Sequence, residues 1–431
     1  MNDSDEPRRA RAAALGALAR WLANQALMGA PITDVATGFA DGLLKAGLPL
    51  WRAHMSVTTL DPQMEAIGLT WTSDGGRQLE EYGHGAFGKV SRGSPIYDAV
   101  LAARARAAEL GAAAPAGDVV LMTRYRLEQG EGFERYPLLV EFSGEGATDY
   151  LIFVIPFSAD GRLHPIRTGA VVTLASNRPG GFAAEEIAAI ADLMPSYGAA
   201  VRIGIDLSAI RTALDTYLGR DVGQRVLRGE IRRGSVETIS AAIVIGDLRG
   251  FTAVADEAPR DQLIAMLDDY LDCLVTPIEA RGCQVLKFLG DGLLATFAFG
   301  SDEPGSVCRN ALAAATEALQ RIGAVNVARR AARLPVSTLD LALHVGDVLY
   351  GNVGSDRRLD FTVIGPAVNE ASRLEALCAT LDVPLIASRR FVDCLDPPHR
   401  FRSLGQRRLR GVRKAVEVFA LGREGEAGGE S

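Results

Sequence analysis

Cysteine is scarce and late. The five thiols, Cys273, Cys283, Cys308, Cys378 and Cys394, all lie in the second half, with no C-x-x-C spacing and no histidine cluster beside them. That excludes a disulfide-framed secreted domain and a zinc site, and leaves buried, reduced thiols. Long hydrophobic runs are also missing. The strongest, YLIFVIPF at 150–157, is less than half of the ~20 residues that a bilayer-spanning helix needs. The opening MNDSDEPRR has no apolar signal-peptide core, so the expectation is a cytoplasmic protein with no membrane partner. No basic tract offsets the net charge of −7, which argues against a nucleic-acid partner, because neutralising phosphates takes clustered Lys and Arg. Lysine itself is nearly absent: of 46 basic residues only Lys45, Lys89, Lys287 and Lys414 are lysines.

What is present is ordinary globular material, 48% hydrophobic and 23% charged, with enough apolar surface to bury a core. At 431 residues the chain exceeds what one core usually organises, so two domains and a linker are expected. Residues 8–48 read as helix interrupted near Pro31. LLVEF (138–142), YLIFVI (150–155) and AVVTLA (170–175) read as strands, separated by turn formers such as SADG at 158–161, within a compact α/β sensory module. After PGGF (179–182), Ile187, Ile190, Met194, Tyr197 and Val201 step by three and four, with Pro195 as a kink. Such a stripe serves either a helix on its own core or a helix pair, and its place between two domains favours dimerisation.

The second half is better punctuated. A strand over 239–245, a helix from about Phe251 to Ala280 and a hairpin QVLKFLGDGLLATF (284–297) come first. A helix from about Gly305 to Arg330, strands near 339–345 and 348–353, and a helix from near Ala367 follow. Two strand-helix-strand units with antiparallel pairing predict an α+β sandwich of ferredoxin-like type.

Acidic side chains punctuate that frame. Asp247 closes the buried run Ile243-Val244-Ile245 in GDLRGFT (246–252), and Asp291 stands between two glycines at the hairpin tip. If the two strands are neighbours, both carboxylates reach one sheet edge, beside the free N–H groups of the helix that begins at Phe251. Carboxylates next to free amides suit hard divalent cations that hold a triphosphate. In the first half GHGAFGKV (83–90) fits the glycine-rich pattern of kinases. The following lysine, the H-R-D loop and the D-F-G site of a kinase are missing, so the stretch reads as a loop.

GDLRGFT, KFLGDG and RLDFTVIGPAVNEASRLE occur in that order, and together they resemble the catalytic domain of class III nucleotidyl cyclases, over about 236–421. The resemblance implies two divalent metal ions, Mg²⁺ or Mn²⁺, on Asp247 and Asp291. It implies that Lys287 and Thr362 read the purine and that Asn369 and Arg373 stabilise the transition state. It also implies a homodimer, since in this family the metal aspartates and the purine-reading residues come from different catalytic domains. RRLRGVRKAVEVFAL (407–421) resembles the family's closing strands, where Arg410, or else Arg408, meets the triphosphate. Lys287 donates and the Thr362 hydroxyl accepts, which matches the acceptor N1 and donor amine of adenine and makes ATP the expected substrate; Thr362 stands where many adenylyl members carry Asp. Guanylyl members put an acidic residue where Lys287 stands. The expected organisation is an N-terminal domain, 1–205, with a faint resemblance to GAF or PAS sensors and a small-molecule effector. A helical linker (206–235), the cyclase domain (236–421) and a disordered tail (422–431) follow.

Overall fold

The computed structural model describes residues 5–86, 93–110, 120–157, 169–395, 401–412 and 414–422. Residues 87–90 of GHGAFGKV, the turn at 158–161 and all of the tail beyond residue 422 lie outside them. The chain divides into two compact units, Met1–Ala213 and Leu214–Ser431.

The first unit is built from α1 (Asp5–Met28), α2 (Ile32–Lys45), β1 (Arg52–Thr58), β2 (Met64–Thr72), β3 (Arg77–Gly83), α3 (Pro95–Leu110), β4 (Leu121–Arg126), α4 (Pro137–Gly144), β5 (Asp149–Pro156) and β6 (Gly169–Ser176). Helix α5 (Ala184–Leu218) carries the chain across the division. The six strands pair antiparallel in the order β3-β2-β1-β6-β5-β4. Strand β5 is buried on both faces, and its period of two explains how. Leu151 and Phe153 pack with Leu22, Phe39 and Tyr197 of α1, α2 and α5, whereas Tyr150 and Ile152 pack with Ala103 of α3 and Leu139 of α4.

Two expectations are corrected here. LLVEF is not a strand but the body of α4, because Pro137 sits in the first turn and only Leu139 and Phe142, three apart, are buried; a first-turn proline presets helical φ and loses no bond. The stripe Ile187, Ile190, Met194, Tyr197 and Val201 does not face a second chain. All five lie in the core of the first unit, on a helix that continues through Pro195.

The second unit begins at the end of α5 and continues with α6 (Arg220–Leu227), β7 (Val236–Arg249), α7 (Phe251–Glu257), α8 (Arg260–Glu279), β8 (Gln284–Leu289), β9 (Gly292–Ala298), α9 (Pro304–Ala331), β10 (Thr338–Gly354), β11 (Leu359–Ile364), α10 (Pro366–Leu381), β12 (Leu385–Ser388), α11 (Arg389–Val392), β13 (Phe401–Arg407) and β14 (Val416–Leu421). The helix expected from Phe251 to Ala280 is divided at Pro259, and the two strands expected between 339 and 353 form one strand. The sheet runs β13-β14-β12-β10-β7-β9-β8, with β11 on the far half of β10. Along β7, Ala242, Val244 and Leu248 join the core under α8 and α9, while Ile243 and Ile245 join Ala367 and Ala371 of α10. This is the expected α+β architecture, and the alternation decides which helix each polar residue of β7 faces.

Candidate active site

By that alternation Asp247 belongs to the α10 face of β7. It does not end the strand, which runs on to Arg249. Strand β9 pairs beside it, with Leu293 opposite Gly246, so the hairpin tip carrying Asp291 is delivered to the same end of the sheet. The approach is close: a Cβ on Gly292 would stand 2.7 Å from a carboxylate oxygen of Asp247. Partial burial, and then the charge of Asp291, push the Asp247 carboxyl up to about 6. Two carboxylates short of positive charge are therefore neighbours, as the sequence expected.

Antiparallel pairing sets Asp340 of β10 directly opposite Asp247, and directly opposite residues share a face. Asp340 is buried and clamped by Arg249, whose Nη2 lies 2.6 Å and Nε 3.0 Å from its carboxylate. Arg249 also reaches Asp382 at 2.9 Å. Glu375, on α10, completes the cluster. Burial, then the charges of Asp247, Asp340 and Asp291, push it up to about 7. Sequence reasoning missed Arg249, Asp340 and Glu375. The period of two marks Arg249 as a face-mate of Asp247, and Glu375 is the last letter of the quoted RLDFTVIGPAVNEASRLE, but no local signal marks Asp340.

The base-reading candidates sit elsewhere on the unit. Lys287 is exposed on β8, the edge strand, and its ammonium ion-pairs with Asp360 of β11. Thr362, half-buried, lies two residues on along β11 and so on the same face as Asp360. Asp360 was also missed, although it stands inside the quoted motif. On α10, Asn369 is exposed and Arg373 is four residues on, one turn away on the same face. The Arg373 guanidinium donates to the Arg410 carbonyl at 3.0 Å, which brings two of the expected residues together. The Arg410 side chain is exposed, as is Arg408. Phe251 opens α7 and packs partly against the core under α8 and α9. Among the described residues no hydrogen bond or ion pair joins Asp247 or Asp291 to Lys287, Asn369 or Arg373.

The fit to a metal can be judged from this donor set. Among the described residues no three His, Cys, Asp or Glu side chains are grouped to hold an ion. Two adjoining carboxylates still fit Mg²⁺ or Mn²⁺, hard ions that take one or two protein carboxylates and fill their remaining positions with water and phosphate oxygens.

Fold and site define an α+β domain with paired carboxylates at one sheet end and a lysine on the edge strand. Residues 235–423 match the family model of the adenylate and guanylate cyclase catalytic domain, and the C-terminal half of the chain carries a domain of that family. "Adenylate cyclase 1" of Rhizobium meliloti is similar at 29% identity over 178 residues, 41% of this chain and 26% of that protein. "Adenylate cyclase" of Anabaena cylindrica is similar at 29% identity over 246 residues, 54% of this chain and 46% of that protein. The chain thus spans about a quarter and just under half the length of these two relatives. Among solved structures, one of a bacterial light-regulated adenylyl cyclase is similar at 26% identity, with a TM-score of 0.42 over 50% of this chain and 62% of that one. No helix among the described residues is long and apolar enough to cross a membrane.

Proposed function

We propose that the protein is an adenylate cyclase, which converts ATP to 3′,5′-cyclic AMP and pyrophosphate at two equivalent sites of a homodimer. The observation that carries this reading is the convergence of Asp247 and Asp291 on one sheet end, with Asp247 raised by burial and by its neighbour's charge. Asp247 and Asp291 would hold the divalent ions. Bound there, the ions supply a lowered pKa for the ribose 3′-hydroxyl and neutralise the triphosphate.

The remaining work falls to the chain's own side chains. Attack of the 3′-oxygen on the α-phosphorus in line with departing pyrophosphate builds charge on the α-phosphoryl oxygens. The Arg373 guanidinium, which spends one N–H on the Arg410 carbonyl, has further donors for those oxygens. Asn369, one turn earlier, orients the ribose, and Arg410 and the N-terminus of α7 at Phe251 face the leaving phosphates. Lys287 donates to adenine N1 and Thr362 accepts from the 6-amino group. Phe288 and Leu289, beside Lys287 on the edge strand, are 53% and 46% exposed, which suits a surface that a second copy covers. The first unit regulates the cyclase through a small-molecule effector, in the manner of a GAF-like sensor.

One specific observation favours a second reading. Asp360, paired with Lys287, offers an acceptor of the kind that guanine N1–H and its 2-amino group need, which supports a guanylate cyclase. Purified protein offered ATP and GTP separately, with Mg²⁺ or Mn²⁺, separates the readings. Cyclic AMP from ATP is expected. Cyclic GMP alone would establish the second reading, and no cyclic product would leave a nucleotide-binding regulatory protein.

A further inference from the structure

Arg249 joins two elements to which the proposed reaction gives different work. Its backbone belongs to β7, two residues past Asp247 and on the same face. Its side chain leaves the strand and ends at the C-terminus of α10. There Nη2 donates to the carbonyl oxygens of Cys378, in the last turn of the helix, and of Val383, just beyond it, at 3.3 Å each. Nη1 donates to Asp382, which caps the helix, at 2.9 Å. Nε and Nη2 hold both oxygens of the buried Asp340 at 2.6 to 3.0 Å. Every nitrogen of the guanidinium has an acceptor, and a planar fork so used cannot turn without breaking several bonds at once.

We propose that Arg249 is a positioning residue, which holds α10, and with it Asn369 and Arg373, at a fixed place against the strand that carries Asp247. What α10 does in the reaction rests on the cyclase reading; that Arg249 holds the helix does not. Charge calls for such a link. Glu375 sets a carboxylate of α10 among Asp247, Asp340 and Asp291, and like charges drive strand and helix apart. The free carbonyls at a helix C-terminus also favour a cation. The last turn of α10 has no basic residue of its own, and Arg249 supplies the charge from β7. Stability alone does not account for the clamp, because apolar side chains of similar volume usually serve as well as a buried ion pair. From Cys378 to Arg373 is roughly 7 Å of helix at 1.5 Å per residue, so an end set loose moves the Arg373 guanidinium. A misplacement of about 1 Å is enough to lower a rate by about 10²-fold.

The test uses the full chain with ATP and Mn²⁺. Arg249→Met leaves Asp340 buried without a counter-charge, so melting temperature and kcat should both fall. Arg249→Met with Asp340→Leu removes the pair together and keeps the net charge beside Asp247. Its melting temperature should return to within about 3 °C of wild type. Its kcat should stay about tenfold or more below wild type, with KM for ATP changed by less than about threefold. Arg249→Lys keeps a charge opposite Asp340 but has no fork to reach the α10 carbonyls as well. It should fold with an intermediate kcat, and it carries the test where the double variant does not fold. Recovery of kcat together with melting temperature in the double variant, a KM that rises as far as kcat falls, or wild-type kcat in Arg249→Lys would overturn the proposal. Hydrogen exchange reads the link without turnover. In the double variant or Arg249→Lys the amides of α10 should exchange several-fold faster than in wild type, and those of β9 should not. Faster exchange at α10 in a protein whose wild type makes no cyclic nucleotide would end the cyclase reading and keep the link. Unchanged exchange in an active enzyme would sink the link alone.

Discussion

Lys287 meets its nearest charged neighbour on β11: its ammonium is held by Asp360, and both side chains are about half exposed. A pair so placed contributes little to stability, on the order of 0 to 1 kcal/mol; on the proposed reading its use is to aim the ammonium. Asp360→Ala should leave the melting temperature within about 2 °C while kcat/KM for ATP falls by roughly tenfold, as expected when a positioned donor is released. Steady-state kinetics alongside thermal melting checks both halves, and a loss of stability equal to the loss of rate would sink the idea. His344 is the opposite case, a polar residue whose setting concerns stability alone. It is 1% exposed and neither ring nitrogen is hydrogen-bonded, although Nε2 lies 3.3 Å from a Glu370 oxygen. Burial, and then the charge of Arg390, hold its pKa down to about 4 from 6.5. The sign follows directly. As pH falls below 6.5 the unfolded chain takes up a proton that the folded chain refuses until about pH 4, so stability present at neutral pH is lost across that window. At pH 5 the loss is about 2 kcal/mol. His344→Leu removes the titration, and its melting temperature should fall by about 5 °C less than the wild type's between pH 7.5 and 5.0.

Elements with their own punctuation were legible in the sequence. The β8–β9 hairpin was read because glycines flank Asp291, and β7 because Ile243-Val244-Ile245 has nowhere to go but a core. Four apolar letters and Glu141 in LLVEF have no readable period, and Pro137 in the first turn decided for helix. The stripe 187–201 failed for a different reason: heptad spacing is the same whether a helix faces its own sheet or a second chain, and only burial separates the two. Within the site, the Arg249–Asp340 clamp joins residues 91 apart in sequence, which only the register of β7 on β10 reveals. Gly292 shows how tightly β9 is set beside β7. A Cβ there would stand 2.3 Å from the Gly246 carbonyl oxygen and 2.7 Å from the Asp247 carboxylate, so Gly292→Ala must move backbone or the carboxylate. Its activity should fall by about 10²-fold or more. Gly290→Ala is the control from the same hairpin. Gly290 has φ of +74° and open space around it, so the substitution should cost about 1 kcal/mol in melting experiments and leave much more activity. Equal activities for the two variants would mean that the close approach at Gly292 does not position Asp247.

At the scale of the whole molecule the question is how one chain with a single cyclase domain completes a site. Asp247 and Asp291 form one group, and Asn369 and Arg373 with the Arg410 carbonyl form another. In the symmetric pair proposed above each site would draw one group from each copy, so a defect in either group would disable both sites of a pure mutant dimer. Asp247→Ala and Arg373→Ala should each lower activity by at least about 10²-fold when expressed alone. Co-expressed from one host with different affinity tags, they give random pairing, in which about half of the dimers are mixed. Each mixed dimer holds one site with both defects and one with neither, so the preparation should recover about a quarter of wild-type activity. Sequential purification on the two tags isolates the mixed dimers, whose specific activity should approach half of wild type. Were each site instead complete within a single chain, every mixed dimer would contain two broken sites and no activity would return. Silent mixed dimers, with both chains folded and co-purifying, would therefore defeat the shared-site reading while leaving the roles of Asp247 and Arg373 intact.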